Sequence, residues 1–63
     1  MISNRANIQV SMEGTIMVLK IETDEKNVQV TPSSSGKTLV IATTGGAQKV
    51  EGLSLNMTLY RKP

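Results

Sequence analysis

The sequence has no cysteine, no histidine, no phenylalanine and no tryptophan, and its one aromatic residue is Tyr60. Each absence excludes something. Without cysteine there is no disulfide and no thiolate metal site, and the redox compartment leaves no mark. Without histidine the commonest metal ligand and general base is missing. The core has to be aliphatic, built from Ile, Val, Leu and four methionines, whose flexible thioethers suit irregular cores and adaptable interfaces. No apolar run approaches the ~20 residues of a membrane span, and the start, Met1-Ile2-Ser3-Asn4-Arg5, lacks the apolar stretch of a signal peptide. The expected location is therefore the cytoplasm, or the host cytoplasm for a phage-encoded chain, with no membrane partner.

Sixty-three residues make one domain, residues 1–63. A chain of this size hides only about 60% of its unfolded surface. Disulfides, a metal or association usually compensate. With the first excluded and the common metal ligands absent, association with further copies of itself is the expected remedy. The net charge of +2 and a pI of about 9.3 permit nucleic-acid binding without demanding it.

What is present is alternation. From Ala6, the residues Ile8, Val10 and Met12 point one way and Asn7, Gln9 and Ser11 the other, which is the pattern of a half-buried strand. Glu13-Gly14 then suits a two-residue turn. With the turn there, Met12 lies opposite Thr15, Val10 opposite Met17, Ile8 opposite Leu19 and Ala6 opposite Ile21, so the apolar residues gather on one face. A one-residue slip would scatter them. The second strand, Thr15 to Glu22, is also apolar on its other face at Ile16 and Val18, so it needs cover on both sides. The charged turn 23–27 leads to a short third strand, Val28 to Val30, and residues 31–37 read as a flexible loop. Thr38 to Thr44 is a fourth strand, with Leu39 and Ile41 on one face and Val40 and Ala42 on the other. Gly45-Gly46 signals a hairpin turn, followed by Ala47 to Val50 and a second Glu-Gly turn, Glu51-Gly52. Leu53 to Tyr60 alternates as one last strand with Leu53, Leu55, Met57 and Leu59 inward. No stretch has helical period. The expected fold is all-β, about five short antiparallel strands in hairpins, forming a small barrel or curled sheet that oligomerises. Residues 1–5 are expected to fray.

Few residues suggest chemistry. Ser35-Gly36-Lys37-Thr38 resembles part of a phosphate-binding loop. That motif needs a glycine where Thr31 stands and a helix after the lysine, and a β-branched run follows instead, so no nucleotide is expected. No pair of carboxylates is placed for acid–base work and no nucleophile has a base partner. The reading is a non-enzyme with no catalytic residues, no metal site and no cofactor. The candidate site is a modest basic surface for DNA or RNA made of Lys20, Lys37, Lys49, Arg61 and Lys62, with Tyr60 as the one group able to stack on a base. Ser33, Ser34, Ser35 and Gly36 form a candidate binding loop. The alternative is a structural or assembly protein whose partners are proteins.

One resemblance covers most of the chain. Pro32-Ser33-Ser34-Ser35-Gly36-Lys37, the strand that ends in Ala42-Thr43-Thr44-Gly45-Gly46, and Leu55-Asn56 followed by Tyr60 resemble a group of very small uncharacterised bacterial and phage β-proteins. Their pattern is Pro-Ser-x-Ser-Gly-Lys, then Ala-x-Thr-x-Gly, then Leu-Asn-x-Tyr. Tyr60 lies two residues beyond the place that pattern gives it. The resemblance implies a bacterial or phage origin and carries no activity with it.

Overall fold

The structure is a computed structural model describing residues 1–63. It is all-β, with no helix and nine short strands in four small sheets. The strands are β1 (Ile2–Ser3), β2 (Gln9–Glu13), β3 (Ile16–Lys20), β4 (Val28–Gln29), β5 (Thr31–Pro32), β6 (Leu39–Thr43), β7 (Gln48–Val50), β8 (Leu53–Leu55) and β9 (Thr58–Arg61). The largest sheet has the order β5-β6-β9. The pairs β1-β4, β2-β3 and β7-β8 stand as separate two-stranded sheets, and only β1-β4 is parallel. The sheets do not join into a closed barrel, so that part of the expectation is corrected. With no helix present, none is long and apolar enough to cross a membrane.

The first hairpin forms as its apolar pattern requires, but two positions along. Its register pairs Met12 with Met17 and Val10 with Leu19, and Gly14-Thr15 makes the turn in place of Glu13-Gly14. A shift of two keeps every side chain on its face, so the pattern alone does not separate the two registers. Local strain does. Gly14 takes φ 61° at the first turn position and Thr15 keeps negative φ, the arrangement that requires only one glycine there. The alternative would place Glu13 at the position where both central residues favour positive φ. In the β7–β8 hairpin that strain is accepted, with Glu51 at φ 52° and Gly52 at φ 79°. Of the two expected Glu-Gly turns, only Glu51-Gly52 therefore forms.

Four other expectations change. Residues 1–5 are not loose, because Ile2 N donates to Asn27 O at 2.8 Å and β1 pairs with β4. Thr31-Pro32 is not part of a loop but an edge strand opposite Leu39-Val40, where a missing proline donor costs nothing. Gly45-Gly46 does not fold β6 back on β7, since β6 pairs with β5 and β9. The stretch Leu53 to Tyr60 breaks at Asn56-Met57, because Thr44 draws that segment away. Thr44 N donates to Met57 O at 3.1 Å, and Met57 N donates to Thr44 Oγ1 at 3.1 Å. As a result Leu53 is exposed rather than inward.

The core is small. Only Val28, Ile41, Ala42 and the polar Asn7 are buried. Ile41 and Ala42 are neighbours, yet both are covered, because β6 carries a bulge against β9: Val40 pairs with Tyr60 and Ala42 with Leu59, leaving Ile41 as the extra residue. A bulge leaves one residue outside the ladder, and alternation along β6 is reset there. The carbonyl of Ile41 finds its partner in Asn7. Asn7 Nδ2 donates to Ile41 O at 3.1 Å and to Glu22 O at 2.9 Å, and Glu22 N donates to Asn7 Oδ1 at 3.0 Å. One amide thus ties the approach to β2, the exit from β3 and the centre of β6. It was expected to point outward with Gln9, and it points inward because these three backbone groups are otherwise unmet.

Candidate nucleic-acid and assembly surfaces

The structure divides the basic residues among several places. β6 and β9 run antiparallel with Leu39 opposite Arg61. The turn that joins β5 to β6 therefore lies at the same end of the sheet as the end of β9. Lys37, Tyr60 and Lys62 belong to this end, and Tyr60 is 59% exposed. Lys49 lies on β7, in the hairpin that extends from the opposite end. Lys20 closes β3 and lines a separate cleft.

Arg61 is already engaged. Its Nε donates to Glu25 Oε2 at 2.6 Å and its Nη2 to Glu25 Oε1 at 2.8 Å, a two-pronged pair across the surface. Hydrogen bonding to the guanidinium holds the Glu25 carboxyl below its usual range; desolvation opposes this and the Arg61 charge adds to it. The same bonds raise Arg61 further above its ordinary value. The pair offers phosphate little of its charge, since a neighbouring carboxylate competes for both prongs. Glu25 is the residue sequence reasoning missed here, and no local signal joins it to a position 36 residues away.

The serine loop is a closed turn. Gly36 N donates to Ser33 O at 2.9 Å and Ser33 N to Thr38 O at 2.9 Å, with Lys37 N reaching Ser35 Oγ at 3.4 Å. Ser33 Oγ and Ser35 Oγ lie 3.2 Å apart, Ser34 is exposed, and Gly36 holds φ 73°. These backbone donors point into the turn rather than converging on an anion, and a strand follows instead of a helix.

The one cleft, about 290 Å³, has walls of Ile2, Ala6 and Ile21, with Asn7 beside Gln9, Lys20 and Glu22. Gln9 and Lys20 are opposite each other across β2 and β3. Lys20 and Glu22 bring opposite charges to it, and Glu22 Oε1 accepts from Asp24 N at 3.0 Å. No three acidic side chains converge on a point that would hold a metal ion. Near the other end of β6, Arg5 lies over Gly45: a Cβ there would come within 2.9 Å of its Nε. The close approach that the double glycine permits is used by the chain's own arginine.

Several large aliphatic side chains are left on the surface. Ile16 is 65% exposed and Leu53 56%, with Ile2 and Leu19 at 39% each. No residue of β2 or β3 is buried. Val10, Met12, Met17 and Leu19 line one face of that hairpin, and Ile16 and Val18 lie on the other. No family model, curated protein or solved structure matches the chain.

Proposed function

We propose that this chain is a binding module without chemistry of its own, and that it works by assembling with other copies of itself into a larger β structure. The observation that carries this reading is the imbalance between core and surface: three buried hydrophobic residues against six large hydrophobic residues left exposed. The dimensions agree with it. The radius of gyration is 12.4 Å, where a compact chain of this length has about 10.6 Å. The accessible surface is 4602 Å², against about 4,000 Å² for a compact protein of this mass. There are 25 backbone–backbone hydrogen bonds, where about 40 would be ordinary. Light scattering across a concentration series tests the reading. A particle mass that is a multiple of the chain's 6.8 kDa supports it, and a monomer at about 100 μM, where even micromolar association is nearly complete, overturns it.

A second reading, nucleic-acid binding, is favoured by one arrangement. Tyr60 and Lys62 are two residues apart in a strand and its extension, hence on one face, and Lys37 lies at the same end of the sheet. An exposed ring beside lysines suits a single strand, with stacking at Tyr60 and phosphate contacts at Lys37 and Lys62. Lys20 and Lys49 join them only if several copies are placed side by side. A mobility assay at low and high salt tests it. Retardation that fades with salt and is weakened by Tyr60→Ala supports it. No retardation of DNA or RNA at low salt removes it.

A further inference from the structure

Strand β3 is an open edge. Its backbone bonds only to β2, and neither strand hydrogen-bonds to any other part of the chain. Natural edges are usually blunted by charge, by proline or by a bulge. β5 carries Pro32 and β7 carries Lys49 at its centre, and β2 alternates Gln9 and Ser11 with Val10 and Met12 before its terminal Glu13, whereas β3 presents the unbroken aliphatic run Ile16-Met17-Val18-Leu19 before its terminal Lys20. A free two-stranded hairpin is marginal in water, and this one has aliphatic side chains on both faces.

We propose that two copies of this chain pair through β3, antiparallel about a two-fold axis at Val18, to make one four-stranded sheet with the two β3 strands at its centre. The inference rests on the assembly reading above and names its surface. An antiparallel pair of identical strands about such an axis is self-complementary, each residue meeting the same partner from both sides. Val18 is the middle residue of β3, so centring there pairs the whole strand and keeps both faces in phase. Met17 meets Leu19 of the partner subunit, and the stripe Val10, Met12, Met17 and Leu19 doubles in width. Ile16 meets Lys20 of the partner subunit, whose aliphatic stem can lie along it while the ammonium stays in water. No like charges face each other along the new edge. The size is also right. The chain exposes about 600 Å² more than a compact protein of its mass, the same order as the roughly 800 Å² that each partner gives to a stable interface.

The absence of cysteine makes the test clean. Residues directly opposite in antiparallel strands have Cα atoms roughly 4.5–5.5 Å apart, within disulfide range. Val18→Cys is expected to form a disulfide-linked dimer under mild oxidation, and Ser11→Cys, on the outer edge strand β2, is not. The wild-type mass is measured alongside. Linkage at position 11 and not at 18, or at neither with the wild type still associated, overturns the β3 assignment and leaves assembly standing. A monomeric wild type overturns both. The exposed Ile16 gives a second readout that does not depend on a half-buried site. Ile16→Lys sets lysine opposite lysine and is expected to weaken association about tenfold or more, while Ile16→Glu sets opposite charges together and stays within about threefold of wild type. Equal weakening by both variants overturns the register.

Discussion

Strand β6 and the hairpin β2–β3 are both strongly aliphatic, yet their surroundings are opposite. Around Ile41 and Ala42 the backbone is bulged, the side chains are covered and the displaced carbonyl is met by Asn7. Along β3 the ladder is regular, no residue is buried and no backbone hydrogen bond from outside the hairpin reaches it. The difference teaches that apolar character on both faces of a strand does not by itself put that strand inside the chain. β6 is inside because a polar side chain from elsewhere satisfies the backbone group its irregularity leaves over. β3 has no such tie, and in the proposed assembly its cover is a second copy of the chain.

The comparison breaks most sharply at Asn7. Asn7→Ala leaves the Ile41 carbonyl and the Glu22 amide without partners in covered positions. At about 1–3 kcal/mol for a stranded buried group, the expected loss is about 3 kcal/mol. That is a large part of the stability of a domain this small, and thermal melting should show it as a fall of more than about 10 °C. Asn7→Asp should not rescue it at neutral pH, because a carboxylate oxygen would face two carbonyls in place of the donor.

The second free hairpin should respond in the opposite direction. Glu51 holds a left-handed conformation that costs an ordinary residue roughly 1–2 kcal/mol, and the turn takes both central residues at positive φ. Glu51→Asn gives the Asn-Gly pair that such turns favour, and denaturant unfolding is expected to show a gain of about 1 kcal/mol. A smaller effect is expected at Ile16. Ile16→Ser, measured dilute, should change the unfolding free energy by no more than about 0.5 kcal/mol, as for an ordinary surface position. Amide exchange sharpens the same contrast: β3 amides should exchange quickly in dilute protein and slow as concentration rises, while those of β6 stay slow throughout.

The smallest effect is at the Arg61–Glu25 pair, which is open to solvent. The folded-state pKa of Glu25 is lowered, so the pair's contribution is fully present above the ordinary glutamate value of about 4.3. It is lost as pH falls through the lowered value. Glu25→Gln should remove that acid-side slope from the stability curve and change little at neutral pH. The same variant frees Arg61, so if the Tyr60 end contacts nucleic acid, it should tighten binding at low salt.

Much of the first hairpin was legible because its signal is local. Val10, Met12, Met17 and Leu19 share a face in either register, and only the turn decides between the two. The last strand was less legible. Leu53 to Tyr60 alternates without interruption, and its break at Asn56-Met57 comes from Thr44, more than ten positions away in sequence. The candidate surface behaved likewise. The lysines were visible as residues, but their grouping depends on which strand ends meet, and the engagement of Arg61 depends on a loop remote from it.

By itself the sequence determined that the chain is all-β, because its apolar residues repeat at a period of two and none of it has a helical stripe. It determined that the core would be aliphatic and small, and it supplied no histidine or cysteine for chemistry. Only the tertiary structure decided that Asn7 turns inward, that β6 bulges at Ile41, and that β3 is left as an open edge. The physical reason is the same for all three. A backbone group acquires or lacks a partner only when distant strands are brought together, and a periodicity of side chains carries no record of that meeting.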